Sequence, residues 1–220
     1  MHGNGIALAL SAFLALASGG VISSAQSADM RPIDEWRAYR GTGIPAEWTI
    51  EDGLIQHSPG GGDLISVESF RNVEVTFDWK ISPGGNSGVM YRVDESYGAS
   101  FQSGPEYQIL DNAGHSDGQS PMTSAASVYG LYAPVRDATR PVGEWNSARI
   151  ILQGSHFEHW LNGEKMTSVD VGSTDWKTRV GGSKFADWPA FGILPEGHIV
   201  LQDHGSPVEY RNFMVQMLPD

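Results

Sequence analysis

Between residues 73 and 80 the chain alternates without interruption. Val73, Val75, Phe77 and Trp79 fall on one side, and Glu74, Thr76, Asp78 and Lys80 on the other. Side chains of a strand point alternately to opposite faces, so a period of two over this length specifies a half-buried β-strand. The turn-forming run Ser82-Pro83-Gly84-Gly85-Asn86 then stops it. Similar segments recur along the chain. Residues 48–50 and 54–56 flank Glu51-Asp52-Gly53 as a hairpin, and shorter runs at 63–68, 88–93, 105–110 and 148–152 read as strands. Asn162-Gly163 joins 157–161 to 165–171 with the strongest short hairpin signal a sequence carries. Residues 173–180 form the one expected helix, with Ser173 or Thr174 as N-cap and Asp175 in its first turn. Roughly ten to twelve strands at spacings of about 8–12 residues imply an all-β, two-sheet antiparallel sandwich. The 27 glycines and 12 prolines supply the turns such a fold needs, and no fixed-period repeat intervenes.

With 220 residues and 40% apolar composition, the chain can bury one sizeable core, and one domain over residues 30–217 is expected. A net charge of −12 argues against nucleic acid or an anionic membrane surface as partner, because both need clustered Lys and Arg. Residues 6–17 are apolar and residues 18–28 small, which reads as a secretory signal over 1–25, cleaved after Ser23-Ser24-Ala25 or as late as Ala28. The apolar run is too short for a stable membrane anchor. Periplasmic or secreted localisation is the expectation. With no cysteine in the sequence, disulfides and thiolate metal sites are excluded.

Polar chemistry concentrates in residues 197–213. Alternation there projects Gln202 and His204 to one face and Asp203 away from it, before Gly205 and Pro207 turn the chain into a return strand. Arg92, Glu106 and Gln108 occupy comparable positions on earlier strands, with Asp111 and Asp203 at strand ends. On a lone open sheet such residues would simply mark the solvent face. Here the set is rich in Arg, Gln and His, whose hydrogen bonds are directional, and long loops at 112–127 and 129–140 can wall a cleft. Tyr129 begins the second loop and is a candidate substrate contact. A loop metal site from His115, Asp111 and Asp203 is one option, against a solvated loop as the simpler reading. His156 and His159 point to opposite faces and do not make a shared metal pair, and the tryptophans read as packing residues. The common hydrolase elbow, nucleotide loop and zincin motifs are absent.

Five motifs occur in order: Gly85-Asn86-Ser87-Gly88-Val89-Met90-Tyr91-Arg92, Glu106-Tyr107-Gln108-Ile109-Leu110-Asp111-Asn112, Gly143-Glu144-Trp145-Asn146, His159-Trp160-Leu161-Asn162-Gly163 and Leu201-Gln202-Asp203-His204-Gly205. Together they resemble the 3-keto-disaccharide hydrolase domain family. The resemblance implies a jelly roll like concanavalin A and the laminarinases, and action on glycosides already oxidised at C3. It also implies a functional link to a sugar 3-oxidoreductase. A C3 ketone acidifies the C2 proton, so cleavage needs a general base, a donor to the enolate oxygen and an acid for the leaving oxygen. The expected catalytic set is His204, Glu106 and Arg92, with Gln108, Gln202, Asp111 and Tyr129 binding substrate. Asp111 or Asp203 would orient the histidine or hold a divalent cation. A non-catalytic carbohydrate-binding module is the alternative. A laminarinase-type endoglucanase ranks last, because Gln108 stands where its paired acids require a carboxylate.

Overall fold

A computed structural model describes Met1 and residues 30–220. The secretory signal expected over 1–25 therefore lies outside the described residues, apart from Met1. Two antiparallel sheets pack face to face and confirm the all-β sandwich. The larger sheet has the order β11-β10-β9-β6-β13-β4-β3, with β1 added against β13. Its strands are β1 (Arg31–Pro32), β3 (Trp48–Glu51), β4 (Leu54–His57), β6 (Val73–Ile81), β9 (Asn146–Gln153), β10 (His156–Leu161), β11 (Glu164–Asp170) and β13 (Val208–Met217). The smaller sheet runs β2-β5-β12-β7-β8, made of β2 (Trp36–Ala38), β5 (Leu64–Phe70), β7 (Asn86–Val93), β8 (Glu106–Leu110) and β12 (Gly197–Leu201). β1 and β2 are too short to show a periodicity and were not expected from the sequence.

The 73–80 alternation becomes β6, at the centre of the larger sheet between β9 and β13. Phe77 from its apolar face stacks on Phe213 at 5.0 Å and meets Tyr107 of the opposite sheet edge-on at 5.7 Å. Each such ring buries enough apolar surface to contribute about 2–3 kcal/mol of transfer free energy. Both expected hairpins form, and their turns need left-handed backbone: Asp52 and Gly53 at φ 50° and 78°, Asn162 and Gly163 at 50° and 85°. The helix α1 (Thr174–Gly181) is capped by Ser173, whose side chain accepts from the Trp176 N–H at 3.1 Å. Among the described residues no helix is long and apolar enough to cross a membrane.

Two irregularities shift the faces that alternation assigns. Between β7 and β12 the register slips where Arg92 adopts φ 56°, and β12 ends at Leu201, so Gln202–Gly205 is a loop. A bulge reverses which residues face the core, because it inserts one residue into a period of two.

Candidate functional site

On the smaller sheet, Leu64, Ile199 and Leu201 belong to the inter-sheet core, while their neighbours Ile65 and Val200 point outward. That outer face is divided in two. At one end Ile65, Met90, Val93 and Val200 form a second apolar cluster under Tyr39. At the other end the pattern turns polar and a cleft of about 250 Å³ opens, with Asn86, Glu106 and Gln202 in its lining. A larger groove of about 870 Å³ lies elsewhere, between the amino-terminal strands and β13, but its acids Asp34, Glu35 and Asp52 are exposed and the fourth, Glu209, is paired with Lys80 at 2.8 Å. The smaller cleft is the one that combines desolvated acids with unpartnered amides.

Glu106 opens β8 and leans across Gly88 of β7. A Cβ at Gly88 would collide with the Glu106 carboxyl, so only glycine leaves room for it. The Gly88 carbonyl receives the Gln202 N–H at 2.9 Å, which brings the end of β12 alongside. Burial pushes the Glu106 carboxyl up to about 8, the Lys184 ammonium pulls it partly back, and Asp63 and Asp117 add to the rise. Asp63 also lines the cleft, and burial raises its carboxyl as well, opposed by hydrogen bonds from the Ser100 hydroxyl and the Asp203 N–H. Asn86 Oδ1 and Gln202 Oε1 are buried and have no partner among the described residues. An unsatisfied buried oxygen costs about 1–3 kcal/mol, a penalty that a ligand hydroxyl would relieve.

The cleft also has an aromatic part. Phe101, Phe185, Phe191 and Tyr129 line it. Tyr129 donates its hydroxyl to Asp117 Oδ2 at 3.1 Å, and Lys184 Nζ stands 4.4 Å from the Tyr129 ring centroid. Burial and then Asp117 push the Tyr129 phenol up to about 12, so it remains a hydrogen-bond donor across the working pH range.

The cleft therefore gathers Glu106, Gln202, His204 and Tyr129, all expected from the sequence, with His204 exposed on the rim. Four other expectations are corrected. Arg92 sits behind the sheet rather than in the cleft, because its φ 56° bulge turns the guanidinium to the Gly154 carbonyl and to the Phe157 ring at 4.5 Å. Gln108 faces the same side as Glu106 but is fully buried beneath the 112–127 loop, donating to the Thr123 carbonyl at 3.2 Å. Asp111 spends its carboxylate on the N–H groups of Gly84, Ala113 and Gly114, fixing a turn outside the cleft. Asp203 does line the cleft, but it pairs with His57 Nε2 at 3.3 Å and accepts from the Gly62 N–H, rather than backing His204.

The suggested metal set does not converge. His115 caps a 3-10 turn through the Asp117 N–H, Asp111 caps its own loop, and Asp203 holds His57. Among the described residues no group of three or more His, Asp or Glu side chains is arranged to hold a metal ion.

Sequence reasoning missed Asp63, Asn86, Phe101 and Lys184. Asn86 lay in a quoted motif, two residues before Gly88, and the period of two could have flagged it. Asp63 lies two residues before the outward-facing Ile65, so the same period reaches it, whereas Phe101 and Lys184 come from irregular segments where no periodicity reports direction.

The fold defines a class, the jelly-roll sandwich of two antiparallel sheets, here with a cleft on the outer face of the smaller one. The β-glucanase of Bacillus licheniformis has this fold, at a TM-score of 0.51 and 10% identity over 86% of this chain and 97% of that one. The chain itself belongs to the 3-keto-alpha-glucoside-1,2-lyase-like domain family, which matches residues 28–216. It is 34% identical to the 3-keto-disaccharide hydrolase of Bacteroides thetaiotaomicron over 86% of this chain and 77% of that protein. A candidate glycosyl hydrolase of Parabacteroides distasonis superposes with a TM-score of 0.79 at 33% identity, covering 87% and 94% of the two chains. The chain is an enzyme of this hydrolase and lyase family.

Proposed function

We propose that this enzyme cleaves 3-keto-glucosides or 3-keto-disaccharides by C2 deprotonation, β-elimination and hydration. Glu106 is the base. Its carboxylate takes the C2 proton, the electron pair moves toward the C3 carbonyl, and the side-chain N–H groups of Asn86 and Gln202 donate to the enolate oxygen while their unpartnered Oδ1 and Oε1 accept from sugar hydroxyls. The enolate then expels the C1 oxygen as a C1–C2 double bond forms. His204 or Lys184 on the rim supplies the proton that the leaving oxygen takes up. Water later adds its oxygen at C1 and a proton at C2, which restores the sugar.

One observation carries this reading: a carboxyl pushed up to about 8 by desolvation, set in a cleft beside two carboxamides whose oxygens have no partner among the described residues. A base of that strength suits a weakly acidic carbon proton better than an ordinary carboxylate does. A retaining or inverting glycosidase would need a second acid at a fixed separation across the bond, a role this reading does not require. An exported location, and supply of the keto sugar by a separate sugar 3-oxidising enzyme, complete the proposal.

Incubating the protein with a 3-keto-glucoside and with its unoxidised parent tests it. Cleavage of the keto form alone is expected, with kcat/KM rising with pH and levelling above about 8 as Glu106 ionises. Cleavage of the parent sugar would overturn the elimination scheme, and saturable binding without cleavage of either would identify a binding module.

A further inference from the structure

The cleft lining is chemically divided. Asp63, Asn86, Glu106, Gln202, Asp203 and His204 supply polar groups, Tyr129 and Lys184 a phenol and an ammonium, and Phe101, Phe185 and Phe191 bare rings. Phe101 is 41% exposed, a large apolar ring that this chain leaves uncovered at the cleft. It rides on a 3-10 turn, Ser100–Gln102, that is held on both sides. The Ser100 hydroxyl donates to Asp63, and Gln102 Oε1 accepts from the Ala99 N–H at 3.0 Å. Trp188 packs beside it with ring centroids 5.4 Å apart and continues into Phe185 at 6.0 Å. Phe185 in turn stacks on Phe191 at 4.1 Å, and the Gly192 N–H bonds to the Ser103 carbonyl at 2.8 Å. The turn and the 181–192 segment are thereby fastened together. The turn that carries Phe101 is thus held by the fold, and Trp188 backs its ring.

Resting on the function proposed above, we infer that Phe101, backed by Trp188, is the leaving-group subsite, and that it selects glycosides with a planar aryl leaving group. The polar groups include the amides and acids that a sugar's hydroxyls require. The rings of Phe101, Phe185 and Phe191 themselves offer a second sugar ring no hydrogen-bond partner. A flat aryl group loses no hydrogen bonds there and gains an offset or edge-on ring contact. Because the platform is already ordered by the fold, little conformational entropy opposes that contact. An aryl oxide also departs with less protonation than a sugar alkoxide, which suits rings carrying no acid of their own.

The test compares an aryl 3-keto-glucoside with a 3-keto-disaccharide sharing the same 3-keto-glucosyl unit, in wild type, Phe101→Ala and Phe101→Tyr. The ratio of kcat/KM for aryl over disaccharide substrate is expected to fall about tenfold in Phe101→Ala, the size of one ring contact, and to recover in Phe101→Tyr. An unchanged ratio in Phe101→Ala overturns the assignment. Calorimetric binding of phenyl glucoside against methyl glucoside gives a readout that needs no turnover. Tighter binding of the phenyl compound, lost in Phe101→Ala, supports the subsite even if the elimination scheme fails, and equal binding of the two removes it.

Discussion

Glu106 and His159 are both titratable groups shifted by desolvation next to the smaller sheet, and they are handled in opposite ways. His159 lies between the sheets with no exposure. Its ring bridges two partners: Nδ1 donates to the Ala126 carbonyl at 3.2 Å, and Nε2 accepts from the Tyr91 hydroxyl at 2.9 Å. Burial lowers it to about 4, so it stays neutral, and its hydrogen bonds tie the 112–127 loop to the core. Glu106, on the other face, is shifted by burial and by neighbouring charges, with no hydrogen bond to its carboxyl among the causes. A satisfied buried group is structure, whereas an unsatisfied one at a cleft costs stability and persists where chemistry needs it.

Removing each group should separate the two roles. The largest effect is expected from Glu106→Gln, which should lower kcat/KM on a 3-keto-glucoside by about 10²–10⁴-fold. The same variant should be more stable than wild type at alkaline pH. Wild-type Glu106 keeps its proton up to about 8 when folded but releases it near 4.5 when unfolded, so the native protein loses stability across that interval. The side chain is half-buried, and the gain above pH 8 should be on the order of 2 kcal/mol in denaturant titrations. Loss of activity together with loss of stability would erase the distinction between the two groups.

His159→Phe should do the reverse. It leaves the Tyr91 hydroxyl and the Ala126 carbonyl without their partner, a cost of about 2–4 kcal/mol measurable by urea unfolding. In wild type the linkage runs opposite to that of Glu106. The unfolded histidine binds its proton near 6.5 and the folded one only near 4, so stability is full above 6.5 and falls as the pH drops toward 4. The wild-type loss over that interval should be about 3 kcal/mol and should shrink in the variant.

A smaller effect sharpens the comparison. Asn86→Ala and Gln202→Ala remove oxygens that have no partner to lose. Stability should therefore shift by less than about 1 kcal/mol, while kcat/KM falls about tenfold or more. Parallel losses in both quantities would place these amides with His159 rather than with Glu106.

Much of the molecule is legible in its residues. The period of two fixes β6, β9 and β10, and Asp52-Gly53 and Asn162-Gly163 fix the β3–β4 and β10–β11 turns because few residue pairs accept left-handed backbone. The same alternation set Glu106 and Gln202 toward one face, and Glu106 reaches the cleft because Gly88 yields it space. Arg92 shows where that logic stops. It is read as a strand residue facing Glu106, yet one residue at positive φ sends it behind the sheet.

What the sequence by itself determined is most of the strands after β2, their turns and the outward-facing Glu106 and Gln202, since these follow from steric rules acting over a few neighbours. The tertiary structure alone decided that Asp203 serves His57, that Asp111 closes a turn, and that Lys184 and Phe101 join the cleft. Those residues lie in loops or beyond strand ends. There the direction of a side chain is set by contacts with segments tens of residues away, and no local period encodes it.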